Sequence, residues 1–440
     1  MDTHSSELQR IRPGAIGMKR ILQRMFRNYT GCLGVRFWNG ETMTLGQGSP
    51  STTIVFNTVQ SFCDFVLRRD PLQFVEAHFL GAIDIEGDLY NVLMQRTQLP
   101  SLKPSTGDLL SLFVAASLHK IDSSRTDSNS APIRWSKPLQ ALFSHKSSKE
   151  TDREAISFHY DVSNDFYRLW LDEQMVYSCA YFNQPDESID RAQRNKLDLI
   201  CRKLRLKPGE RLLDVGCGWG ALICWAARHY GVYAHGITLS HQQHDYARAR
   251  IRDLGLADRV TVELRDYRDL QADASFDKVS SIGMFEHVGI KNLPAYYRAV
   301  RGALKPGGLF LNHGITNDEE GWRNTVGIEF IQRYVFPESE LETISNVLRG
   351  MEQNNFEIVD VESWRAHYAL TLRQWVTRLE AQQDRAIAEV GEARYRVWRM
   401  YMAGCASQFE LGDIGVYQIL AANRRPGPVD VPLTRRDLYV

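Results

Sequence analysis

The chain is 440 residues long, enough for two or three domains, and its 43% hydrophobic and 24% charged residues allow a core of ordinary size. These values exclude a disordered, collagenous or disulfide-stapled chain. Lysine plus arginine (53) balance aspartate plus glutamate (53), so no whole-molecule field gathers nucleic acid and no such partner is expected. The seven cysteines are scattered, without disulfide or zinc spacing, which fits a reducing cytosol. No window approaches the roughly 18 apolar residues of a membrane span, and Met1–Glu7 lacks a signal-peptide core. The expectation is a cytoplasmic protein that meets any membrane from the side, at its inner face.

In chain order, the first feature is basic. Arg10, Arg12, Lys19, Arg20, Arg24, Arg27 and Arg36 face only Asp2 and Glu7 before residue 37. After Pro13-Gly14 a helix is predicted, with Ile21, Leu22, Met25, Phe26 and Tyr29 on one side and the basic residues on the other. Two readings stand: an interfacial helix meeting anionic lipid, or a solvated basic helix packed on its own domain. From Gly31 to Leu118 the pattern is that of a small α+β domain. Strands are predicted at Val35–Trp38, Thr52–Asn57 and Ile83–Glu86, and helices at Val59–Arg68 and Leu89–Gln98. Residues 122–150 have linker composition. Beyond them helix and strand patterns alternate, the signature of an open α/β sheet. The chain thus divides into an N-terminal domain (1–121), a linker (122–150), an α/β domain (151–425) and a loose, Pro- and charge-rich tail (426–440).

Within the α/β domain, Leu212–Gly220 runs as an apolar strand into a turn with Gly216, Gly218 and Gly220, ahead of a helix over Ala221–Tyr230. Glycines let backbone approach a ligand where a Cβ would clash. Asp214 before the turn and the Gly-x-Gly-x-Gly spacing favour the nucleoside of S-adenosylmethionine over a pyrophosphate. Further strands are predicted at Gly231–Ile237, Val260–Leu264, Phe276–Ile282 and Leu309–Asn312. Polar clusters follow at Thr238, at Asp266-Tyr267-Arg268, at Glu286 and at His313, where open sheets place their ligands. Strand two ends without an acidic residue for the ribose, so Thr238 and Gln243, or Asp266, must serve.

Seven ordered motifs resemble the cyclopropane-fatty-acyl-phospholipid synthases and the related mycolic-acid methyltransferases. They are His159–Tyr167, Met175–Phe182, Leu212–Gly220, Gly236–Ser240 with Gln243, Phe285–Gly289, Tyr334–Pro337 and Tyr401–Phe409 around Cys405. The N-terminal segment is similar to the lipid-binding extension of longer members. The resemblance implies a class I S-adenosylmethionine-dependent methyltransferase fold, with a Rossmann-like open sheet behind a small α+β domain. It also implies a reaction: the cis double bond of an unsaturated phospholipid acyl chain takes the sulfonium methyl, a carbocation forms, and loss of a proton closes a cyclopropane ring. Such chemistry needs alignment, a dry pocket and a base rather than a protein nucleophile.

In the family the base is bicarbonate. Glu286, His313 and Tyr368 match its side-chain ligands, and Cys179, Gly283 and Ile315 match residues that border it. Tyr177, Ser178, Gly216, Gly218, Thr238, Leu239, Gln243, Asp266, Tyr267, Arg268 and Ile282 match cofactor contacts. Cys405 matches a cysteine regarded as catalytic, although methyl transfer to an alkene leaves a thiolate no covalent role. Two positions depart from the pattern: Ser163 replaces a frequent Gly, and Gly314 a frequent Thr, both expected to widen or reshape the site. The implied partner is unsaturated phospholipid in a bilayer, met transiently at the surface, and a homodimer stays open. The competing outcomes are a methyl- or methylene-branched fatty acid, a small-molecule N-methyltransferase, and a non-catalytic lipid carrier.

Overall fold

The computed structural model describes residues 15–68, 70–94, 162–319, 331, 335 and 340–439. The linker expected over 122–150, the residues before Ala15, the start of the His159–Tyr167 motif and most of Tyr334–Pro337 lie outside them. The chain forms two compact units, each considered by itself.

The first unit contains α1 (Ala15–Met25), β1 (Cys32–Arg36), β2 (Thr42–Gly46), β3 (Thr52–Phe56), α2 (Val59–Arg68), α3 (Pro71–Phe79), β4 (Ile83–Gly87) and α4 (Leu89–Met94). Its sheet runs β2-β1-β3-β4, with β1 parallel to β3 and the outer pairs antiparallel. α3 is absent from the sequence expectation, yet Asp70 caps it by accepting from Leu72 N–H and Pro71 opens it. On α1, Met18, Ile21, Leu22 and Met25 are buried in the unit's own core, whereas Arg20, Arg24 and Arg27 are exposed. These four apolar residues are therefore consumed by folding, while the three arginines face outward. Residues Gly391–Gly404 also belong to this unit, where Arg396 pairs with Asp84 and donates to the carbonyl of His78 (2.9 Å). The boundary drawn from sequence had placed that stretch with the α/β domain.

The second unit comprises α5 (Asn164–Arg168), α6 (Ile189–Lys203), β5 (Arg211–Val215), α7 (Ala221–Tyr230), β6 (Tyr233–Thr238), α8 (His241–Asp253), β7 (Val260–Leu264) and β8 (Phe276–Ile282). It continues with α9 (Leu293–Ala303), β9 (Leu304–Asn317), α10 (Ile344–Gln353), β10 (Phe356–Ser363), α11 (Arg365–Ala381), α12 (Gln383–Val390), the end of α13 (Glu392–Leu411) and β11 (Ile414–Asn423). The seven-stranded sheet runs β10-β11-β9-β8-β5-β6-β7. β9-β8-β5-β6-β7 pair in parallel, and β11 runs antiparallel between β9 and β10.

Strand residues alternate between two cores, as a period of two requires. Leu212, Leu309, Leu311, Leu420 and Ala422 join α6 and α7 on one face. Leu213, Phe310, Ile419 and Ala421 join α9 and α10 on the other. Both faces of the sheet are thus covered by helices. The tail differs from the loose end expected: Arg202 donates to the Leu438 carbonyl, Arg435 pairs with Asp360, and Leu438 is 1% exposed. Among the described residues no helix is long and apolar enough to cross a membrane.

Candidate functional site

Parallel pairing puts the carboxyl ends of β5, β6 and β8 on one edge, and a cleft of about 130 Å³ opens there. The turn after β5 is held by Gly216 and Cys217 N–H groups, both donating to the Ile237 carbonyl at 3.0 Å. Gly216, Gly218 and Gly220 all have positive φ, which explains the three glycines. Gly236 adds a fourth requirement, because a Cβ there would lie 2.7 Å from Cys217 Sγ.

Ten of the thirteen expected cofactor residues line this cleft: Tyr177, Ser178, Asp214, Gly216, Gly218, Thr238, Leu239, Gln243, Tyr267 and Ile282, and Gly283 from the catalytic set joins them. Asp214 is buried and accepts from Ser280 Oγ (2.7 Å); burial pushes its pKa up to about 6 against that bond and the pull of Lys196. Thr238 donates to Gln243 Oε1 (2.8 Å), so these two form one polar unit. Gly220, Asp266 and Arg268 are not among the lining residues. Gly220 is the N-cap of α7. Asp266 is clasped by Arg268, which donates its backbone N–H (2.8 Å) and Nε (2.9 Å) to the same carboxylate oxygen. Sequence reading missed Lys196, Met284, His287 and Trp219, which line the cleft as well.

Behind this edge lies a second cluster. Glu286 sits in the short 3₁₀ turn after β8, 5% exposed, and its Oε1 accepts from Ile315 N–H at 2.9 Å. Its Oε2 is buried with no hydrogen-bond partner among the described residues, and burial raises the pKa to about 7 against the Ile315 bond. His313 lies inside β9, not after the strand as expected, because β9 continues to Asn317 alongside β11. Both of its ring nitrogens are buried without a hydrogen-bond partner among the described residues, and burial drives its pKa well below the ordinary value. Its ring stands edge-on to Trp364 (5.2 Å). His313 pairs in register with Ile282, and its carbonyl accepts from Gly283 N–H at 2.9 Å, so the cluster begins where the cleft ends.

Cys179 is fully buried, with Sγ 3.8 Å from the Trp364 carbonyl, and burial raises its pKa, so it is an inert thiol. Tyr368 on α11 is reached from Tyr177 through Trp375, with ring centroids 5.3 and 6.2 Å apart. Cys405 is buried on α13 and is not among the cleft residues. Neither departure widens the site. Ser163 caps α5 by accepting from Phe166 N–H (3.1 Å) and donates to Glu389 (3.1 Å). The space beside Gly314 is filled by Phe285, whose Cε1 would be 2.2 Å from a Cβ. No group of three or more potential metal ligands occurs among the described residues.

A family model described as mycolic acid cyclopropane synthetase matches residues 147–419, and one for a domain of unknown function matches residues 18–100. A Pseudomonas putida protein named a probable fatty acid methyltransferase is 44% identical over 92% of this chain and 96% of its own length. The cyclopropane-fatty-acyl-phospholipid synthase of Escherichia coli is 38% identical over 60% of this chain and 66% of its own. Among solved structures, the cyclopropane synthase MmaA2 from Mycobacterium tuberculosis superposes with a TM-score of 0.59 at 34% identity, covering 61% of this chain and 98% of that one. The fold is thus that of the class I S-adenosylmethionine-dependent methyltransferases, and with 273 residues matched (147–419) the chain belongs to the mycolic acid cyclopropane synthetase family.

Proposed function

We propose that the protein transfers a one-carbon unit from S-adenosylmethionine to the cis double bond of an unsaturated phospholipid acyl chain and forms a cyclopropane. The carrying observation is a cleft with the Asp214–Gly220 turn that abuts a buried pair, Glu286 and His313, whose buried atoms Glu286 Oε2 and both His313 ring nitrogens have no hydrogen-bond partner among the described residues. A mycolic acid cyclopropane synthase of this family, 35% identical, was solved complexed with SAH, which supports the cofactor.

S-adenosylmethionine supplies an electrophilic methyl group when bound. Asp214 and the Thr238–Gln243 unit offer acceptors and donors for its polar edges, and Gly216 and Gly218 keep the approach free of side chains. Orphaned buried polar atoms call for a small polar guest, and a bicarbonate ion, which would supply the proton acceptor, fits their chemistry. With its pKa near 7, Glu286 shares a proton at Oε2 and so can face an anion without like-charge repulsion. Neutral His313 offers one donor and one acceptor. The rings of Tyr177, Trp375 and Tyr368 pack in series and Trp364 packs on His313, an aromatic lining suited to a dry site and to developing positive charge. The exposed Arg20, Arg24 and Arg27 supply the contact with an anionic bilayer.

The test is incubation with S-adenosylmethionine and vesicles of unsaturated phospholipid, followed by mass analysis of the acyl chains. A gain of one CH₂ that resists hydrogenation is the expected result. A gain that keeps the alkene would instead establish transfer that stops at a methyl or methylene branch; the 44% identical relative is named a probable fatty acid methyltransferase, without a product. No gain with any lipid would defeat both.

A further inference from the structure

We propose that Lys196 is a positioning residue for the carboxylate of S-adenosylmethionine, acting through the hydroxyl of Ser178. The proposal rests on the cofactor reading above. Lys196 projects from α6, is 1% exposed, lines the cleft, and donates from Nζ to Ser178 Oγ at 2.8 Å. An ammonium has three donors and no acceptor. Ser178 Oγ must therefore accept, which leaves its own proton free to point elsewhere, and Ser178 also lines the cleft. A hydroxyl that accepts from a cation is polarised into a stronger donor. Gln193, one turn earlier on α6, fixes the backbone here by donating to the Ser178 carbonyl at 2.9 Å.

Lys196 forms no ion pair among the described residues. Asp172 is engaged by the N–H groups of Gln174 and Val176 (both 2.8 Å), and Asp214 by Ser280 (2.7 Å). Burial lowers the Lys196 pKa to about 8, with Asp172 and Asp214 among the groups opposing the shift, so the side chain stays largely charged at neutral pH. A buried cation with no carboxylate in direct ion-pair contact is costly even with Asp172 and Asp214 nearby, and an anion arriving at Ser178 offsets that cost. The other cation lining the cleft, Arg265, pairs with Glu263 (3.2 Å) and is partly exposed. The single anionic group of S-adenosylmethionine is its carboxylate. Charge complementarity places that group at Ser178, with Lys196 behind it.

Calorimetry on the full chain with S-adenosylmethionine and its decarboxylated analogue tests this. The two ligands differ only in the carboxylate. The wild type is expected to bind the first roughly 10- to 100-fold more tightly. Lys196→Gln, which keeps a hydrogen bond to Ser178 but removes the charge, should close most of that gap, and Lys196→Arg should restore part of it. Equal weakening of both ligands in Lys196→Gln would mean a purely structural lysine and would overturn the proposal. Equal affinities in the wild type would overturn it without any variant, whether or not the variants fold. If neither ligand binds the wild type, the cofactor reading itself has failed.

Discussion

Burial acts on Glu286 and His313 in opposite directions and leaves both near neutrality, the carboxyl pKa pushed up to about 7 and the imidazole pKa pulled down. A carboxyl whose folded pKa exceeds its unfolded value of about 4.5 favours the folded state at low pH. That contribution is complete below about pH 4.5 and is lost as pH rises through about 7. Glu286→Gln is neutral throughout, so relative to wild type it should be more stable at pH 8, by up to about 3 kcal/mol, and not at pH 4.5. Urea unfolding at the two pH values measures the difference, and equal offsets would contradict the assigned burial cost. The same variant should lower turnover about 100- to 10,000-fold while leaving S-adenosylmethionine affinity within about twofold. Gly314 gives a second residue-scale prediction. Because Phe285 occupies its side-chain space, Gly314→Thr should destabilise by about 1–3 kcal/mol, read as a lower urea midpoint at unchanged slope.

Elements differ in how clearly the sequence displayed them. β5 to β8 were legible because each is a short segment with apolar or β-branched residues closed by a glycine or a polar cluster, and the glycine turn marked the cleft. β10 and β11 were not delimited: Phe356–Ser363 alternates apolar with acidic residues, and its antiparallel pairing to β11 is a long-range event without a local turn signal. α6 shows how a site residue hides. Ile189, Gln193, Lys196, Ile200 and Lys203 fall on one buried stripe, yet two lysines seven residues apart read as a solvated face until their partners on other elements are known. Lys203 meets Glu362 and Gln418, and Lys196 meets Ser178. The C-terminal segment misled for the same reason: its proline- and charge-rich composition says loop, but Asp437 and Arg435 pair with Arg205 and Asp360, and the Leu438 carbonyl accepts from Arg202. Its one deeply buried apolar anchor is Leu438. Leu438→Ala should therefore cost about 2 kcal/mol in urea unfolding, whereas a loose tail would register within about 0.5 kcal/mol.

At the scale of the whole molecule, a net charge of +0 hides unlike parts. The proposed substrate is anchored in a bilayer, and no helix among the described residues is long and apolar enough to cross one, so the contact proposed for this protein is with the bilayer surface. Met18, Ile21, Leu22 and Met25 of α1 are buried and offer no apolar surface for insertion. In the proposed reading, attraction by α1 is electrostatic, through the exposed Arg20, Arg24 and Arg27. Each basic residue near an anionic surface contributes about 1 kcal/mol. Reversing two of them in Arg20→Glu with Arg24→Glu should weaken binding to anionic vesicles roughly 30-fold or more. Since exposed charges are screened, wild-type binding should also fall steeply as salt rises from about 0.05 to about 0.5 M. Neutral vesicles should bind poorly at any salt. Vesicle flotation of both proteins across that range decides the matter. Salt-independent binding unchanged by the double reversal would locate the lipid contact elsewhere than on α1. Turnover of a soluble, short-chain unsaturated substrate should be unaffected by the reversal, because both arginines lie outside the unit that holds the cleft.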